Sequence, residues 1–233
     1  MINFYFYNMK KLPIYLSVSP AKSTDKQIIA LKEKFLKVAN NQLITAADSE
    51  NLWQKIFRAH NQSSRTYHNL SHLYSISEIL DQNESKDLDS SILYWTTFFH
   101  DYVYKATRKD NEIKSAAFAK QVLTAFLPVE QIALISTIIE STARHEPLVE
   151  IPEQYVFLDA DLAVLAVEED LYDQYVQAIR REYRIYPDLL YRPGRRKVLQ
   201  HFLERTTIYY TPVFQPYEAQ ARFNLKREID SLG

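Results

Sequence analysis

Glycine is nearly missing from this chain: Gly194 and Gly233 are the only two in 233 residues. Without glycine there is no GxGxxG turn and no phosphate-cradling P-loop. The Asn-Gly and Asp-Gly hairpin turns of β-rich folds are missing as well. Cysteine is absent altogether, which excludes disulfide scaffolds, thiolate nucleophiles and sulfur-ligated zinc. Charge of one sign is not in excess, since the formal net charge is −1. No global field therefore draws the chain to nucleic acid or to an acidic membrane. No apolar run approaches the roughly 18 residues of a transmembrane helix. These absences favour an all-α fold before any periodicity is read, and a cytoplasmic setting is the expectation.

What is present is ordinary in amount and unusual in placement. Hydrophobic residues make up 46% of the chain and charged residues 24%, enough for a sizeable soluble core. Residues 1–20 are expected to be irregular. Their aromatic run Phe4-Tyr5-Phe6-Tyr7 precedes the basic Lys10 and Lys11, the reverse of a signal peptide's order. From Ser23-Thr24-Asp25 onward helical spacing takes over, with Ile28, Leu31, Phe35 and Val38 on one face. Further helices are expected around Leu52 and Ile56, from His68 to Leu80, over 90–104, over 110–126 and from Pro128 to about Arg144. Three more are expected over 168–185, 188–205 and 213–231. One helical domain, 21–233, of eight to ten helices results, with its C-terminal third packed on the rest.

Three of the most apolar stretches carry groups that burial penalises. Tyr67-His68-Asn69-Leu70-Ser71-His72 places two imidazoles four residues apart, and on a helix both share one face. The run through Trp95, Phe98 and Phe99 ends in His100-Asp101, and Phe157-Leu158 leads into Asp159-Ala160-Asp161-Leu162. Buried His and Asp are costly unless paired or coordinated. A mixed imidazole and carboxylate set suits a divalent ion such as Mn, Fe, Ni, Co, Zn or Mg. On an ideal helix His100 and Asp101 diverge by about 100°, so an ion shared by both is expected where helices cross. Asp161 closes the set from a third helix. Asp159 is its rival, because residues two apart on a helix point to different sides.

The His, His-Asp and distant Asp order resembles the HD superfamily of metal-dependent phosphohydrolases, an all-helical family. Tyr67-His68-Asn69-x-x-His72 is similar to the corresponding segment of the cyclic-nucleotide phosphodiesterases within it. From about residue 25 to the end, the chain is similar to a group of bacterial HD proteins described as predicted metal-dependent phosphohydrolases. Phe157 to Leu162 and Arg181-Glu182-Tyr183 to Arg195 carry that likeness. The resemblance implies that His72, His100, Asp101 and Asp161 hold the metal and that His68 gives a proton to the leaving oxygen. His68 and Asp101 are then the catalytic pair. The Ala160-Asp161-Leu162 context selects Asp161 as ligand and leaves Asp159 as a helix N-cap or a partner behind the ligands. No counterpart of the phosphodiesterases' glutamine-containing purine pocket is present, so cyclic nucleotides are not implied. The partner implied is a small phosphate ester, a nucleotide being one form. A helical metal or nucleotide binder without turnover is the alternative.

Other cationic side chains stand where they could meet a substrate phosphate. Lys105 and Arg108 follow Asp101 by one and two helical turns, and His145 sits at a helix end, where a second metal or the substrate is within its scope. Residues 180–197 gather seven basic groups against Glu182 and Asp188. A solvated face is the expectation there, rather than a nucleic-acid surface.

Overall fold

In the computed structural model residues 23–233 are described, so expectations for residues 1–20 fall outside them. Ten α-helices and no strand occur among the described residues. None of these helices is long and apolar enough to cross a membrane.

Local sequence chemistry starts most of the helices. Thr24 caps α1 (Asp25–Asn41) and Gln27 reaches back to the Thr24 amide, a reciprocal capping box. Thr45 caps α2 (Ala46–His60), Asn69 caps α3 (Leu70–Gln82) and Asp89 caps α4 (Ser90–Phe99). After α5 (Asn111–Leu123) and α6 (Val129–Ser141), Pro152 opens α7 (Pro152–Asp161) at the position where its missing N–H costs nothing. A short 3₁₀ segment, Leu162–Ala166, leads to α8 (Glu169–Glu182), α9 (Asp188–Glu204) and α10 (Glu218–Ser231).

One contiguous set of buried apolar residues runs from Leu31 to Leu225. Its aromatic centre is Phe35, which lies edge-on to Trp95 and Phe98 and tilted against Trp53, at 5.7, 5.1 and 5.7 Å respectively. Phe35 is fully buried, so Phe35→Ala empties a ring-sized hole that the surrounding rings cannot close. A loss of about 3–5 kcal/mol is expected, read as a lower urea midpoint with unchanged slope.

Polar groups on otherwise apolar stripes tie the C-terminal helices to one another and to the 3₁₀ segment. Arg195 of α9 donates to Glu228 of α10 at 2.7 Å, and Tyr172 of α8 donates to the same carboxylate at 2.6 Å. Asn224 of α10 donates to the Leu165 and Val167 carbonyls at 2.9 and 2.8 Å, taking up groups at the end of the 3₁₀ segment. Arg180 pairs with Asp188, and Arg192 lies 3.9 Å from it. Three of the seven basic groups, Arg180, Arg192 and Arg195, thereby find carboxylates within the fold. Helices α3, α4 and α7 pack mutually, and the chemistry-bearing residues converge where they meet.

Candidate metal centre

Two expectations about local structure are corrected at this junction. His68 and His72 do not share a helical face, because Asn69 caps α3 by accepting the Ser71 amide and leaves His68 in the turn before the helix. The helix expected over 90–104 stops at Phe99, with His100 as its C-cap. His100 keeps helical backbone angles, and Asp101 follows it in the turn with Oδ2 3.1 Å from His100 Nε2.

The donor atoms nearly touch one another. His72 Nε2 lies 3.2 Å from His100 Nε2 and 3.1 Å from Asp161 Oδ1, and His100 Nε2 lies 3.7 Å from that oxygen. Asp101 Oδ2 approaches His100 Nε2 at 3.1 Å and His72 Nε2 at 3.8 Å. Ligands each about 2.1 Å from one ion stand roughly 3.0–3.4 Å apart in octahedral or tetrahedral order, so the spacing fits a cation. His72, His100 and Asp161 form a group able to hold one. The His100 Nδ1–H donates to the Thr97 carbonyl at 3.0 Å, which aims the Nε2 lone pair inward. All four side chains are at least four-fifths buried.

Electrostatics follow from that crowding. Burial penalises the His100 imidazolium, but Asp101 beside it more than compensates, and its pKa is pushed up to about 9. Burial likewise works against the Asp101 carboxylate, yet His100, His68 and His72 hold it far below the usual range. Asp161 is held well below its ordinary value against the same penalty, by hydrogen bonds from His145 and His72. Burial keeps His72 below the ordinary imidazole value. A divalent ion can take the place of the proton that these groups share.

Beside the centre stands a second unit. His68 Nδ1 donates to Glu182 Oε2 at 2.6 Å, while Glu182 Oε1 accepts the Tyr67 and His68 amides at 2.8 and 2.9 Å. Tyr104 donates to Glu182 Oε2 at 2.7 Å and stacks on the His68 ring at 4.3 Å. The Glu182 side chain is wholly buried. Its pKa falls to about 2, because His68 and these donors overcome the burial penalty. In return, Glu182 raises the His68 pKa although burial lowers it. The His68 ring lies 5.8 Å from that of His72, so the pair borders the metal donors.

The remaining candidates have distinct fates. His145 joins the centre: its Nε2 lies 3.1 Å from Asp161 Oδ2. It does so from a left-handed backbone, φ 52°, a conformation that costs a non-glycine residue about 1–3 kcal/mol. Arg205 and Tyr210 hold that turn by donating to the His145 carbonyl at 2.9 and 3.1 Å. Asp159 is not an N-cap, since α7 begins at Pro152, and its carboxylate turns to Tyr210 and Thr211 rather than to the candidate ligands. It accepts from the Tyr210 amide, the Thr211 amide and the Thr211 hydroxyl at 2.8, 2.7 and 2.6 Å, fastening the stretch before α10. Arg108 gives its guanidinium to Asp110. Lys105 is exposed, and residues 102–110 are not helical, so neither cation lies at a helical turn's distance from Asp101.

Glu182, Arg65 and Glu112 stand close to the centre although the site motifs do not include them. Glu182 had a legible signal: it continues the buried stripe Tyr172, Tyr175, Ile179 of α8, where a carboxylate needs a partner. Glu112, in the first turn of α5, is raised by burial and feels Asp101, His145 and His68. Nothing in its spacing announces this. No protein-family model, no curated protein and no solved structure matches the chain.

Proposed function

We propose that the chain is a metal-dependent phosphohydrolase of the HD type. The observation that carries this reading is the pairing of a cation-sized donor set with His68 held on Glu182 at its border. In this reading His72, His100, Asp101 and Asp161 hold one divalent ion. Such an ion supplies hydroxide near neutral pH and polarises a phosphoryl oxygen.

The chain's own residues do the rest. Glu182 accepts the Nδ1–H of His68 and stabilises the ring in its protonated form, so Nε2 carries a proton for the leaving oxygen. Tyr104 and Tyr67 confine the His68 ring from two sides, so its donor direction is set before substrate arrives. His145, hydrogen-bonded to Asp161, orients the carboxylate and faces the same centre. The substrate is a small phosphate ester, nucleotides included.

The test combines metal analysis of the purified protein with phosphate release across nucleotides and simple phosphoesters. Bound metal and turnover are expected, and Asp101→Ala removes both while leaving the helical signal. Metal without turnover on a broad panel would favour the alternative of a non-catalytic binder. A metal-free protein indifferent to Asp101→Ala would end the reading.

A further inference from the structure

Arg65 lies in the irregular stretch between α2 and α3 and is 5% exposed. Its Nη1 donates to the Asp101 carbonyl at 2.6 Å and to the His68 carbonyl at 3.3 Å. Its Nη2 donates to the Tyr102 carbonyl at 2.8 Å, and the guanidinium sits 5.5 Å from the Tyr104 ring centre. One planar fork thus gathers carbonyls from the His68 turn and from the turn that carries Asp101. Carbonyls at a helix end need donors from elsewhere. Here the donor is a rigid side chain whose spacing is set by its own covalent geometry.

The setting of Arg65 points the same way. His60 closes α2 with its Nδ1–H donated to the Ile56 carbonyl at 2.9 Å, and its Nε2 is buried with no partner. Arg65 Nε is likewise buried and unpartnered. The two unpartnered groups are of opposite kind, an acceptor on His60 and a donor on Arg65. Burial, and then the Arg65 charge, hold His60 well below its ordinary value, so the lone pair stays available.

We infer that Arg65 is a positioning residue that sets the separation between His68 and Asp101 by clasping the backbone of both. The inference rests on the proposed roles of those two residues, but its test needs no turnover. The full-length parent, Arg65→Gly and Arg65→Lys are titrated with Co²⁺ alone, followed by absorption. Each titration is repeated in millimolar guanidinium and in equal ammonium, and a thermal melt checks folding. Arg65→Gly is expected to bind Co²⁺ about ten- to a hundredfold more weakly, the usual cost of losing an outer partner of a metal site. Guanidinium restores most of that affinity and ammonium does not. Arg65→Lys is also weakened, because an ammonium cannot span the three carbonyls, and added guanidinium leaves it unrestored.

Parent-like affinity in folded Arg65→Gly, or a deficit that guanidinium leaves unchanged, overturns the inference. Where Arg65→Gly does not fold, Arg65→Lys decides, and parent-like affinity in it has the same force. A parent that binds Co²⁺ yet hydrolyses nothing sinks the phosphohydrolase reading and leaves the positioning role standing. A parent that binds no Co²⁺ overturns both.

Discussion

Asp161→Asn lowers the affinity for a divalent ion such as Co²⁺ or Mn²⁺ by at least about a hundredfold, with little change in helical content. The carboxylate addresses three imidazoles at once, with Oδ1 3.1 Å from His72 and 3.7 Å from His100, and Oδ2 3.1 Å from His145. An amide keeps the shape but removes the charge that draws the ion and confronts one imidazole with a donor instead of an acceptor. In the proposed site proton and metal would compete for His100, whose pKa Asp101 pushes up to about 9 against the burial penalty. Deprotonation favours ligation, so apparent affinity climbs as pH rises toward about 9 and then levels. Calorimetric titrations of parent and variant from acid to alkaline pH read both effects. Parent-like affinity in Asp161→Asn would remove this residue from the ligand set.

His68→Gln and Glu182→Gln reduce kcat by about 10²–10⁴ for the first and less for the second, with metal binding near that of the parent. The proposed donor works only while protonated. Glu182 raises the His68 pKa against the burial penalty, so activity persists to higher pH than a free imidazole would allow. In Glu182→Gln that support is lost, and the alkaline limb of the kcat profile moves to lower pH. The amide oxygen can still accept from the Tyr67 and His68 backbone, so the turn is kept. A double variant is expected to lose little beyond His68→Gln, because the two act as one unit. An unmoved alkaline limb in Glu182→Gln would argue that another group delivers the proton.

Much of this arrangement was legible along the chain because burial leaves a mark on composition. His100-Asp101 follows Phe98-Phe99, Asp161 follows Phe157-Leu158, and charged groups do not enter such surroundings without a partner. Two helix starts were legible too, since Thr24 and Asp89 act on amides three residues ahead; that of α3 was not, because Asn69 caps it one residue after His68. The other errors came where a distant side chain overrode a local preference. The apolar run to Tyr104 reads as one helix, but Arg65 takes the carbonyls of Asp101 and Tyr102. Asp159 reads as a cap, but the Tyr210 and Thr211 amides reach it across about fifty residues of chain.

Sequence alone therefore determined the all-helical class and the identity of the residues that gather at the centre. The near absence of glycine leaves helices as the way to satisfy the backbone, and apolar spacing tells which faces turn inward. The tertiary structure decided what each of those residues does. Whether an imidazole faces an ion or a carboxylate depends on what packs behind its other nitrogen. For His100 that is the Thr97 carbonyl and for His68 it is Glu182, 114 residues away. Local spacing cannot encode a partner so far along the chain; only the packing of α8 against the turn before α3 supplies it.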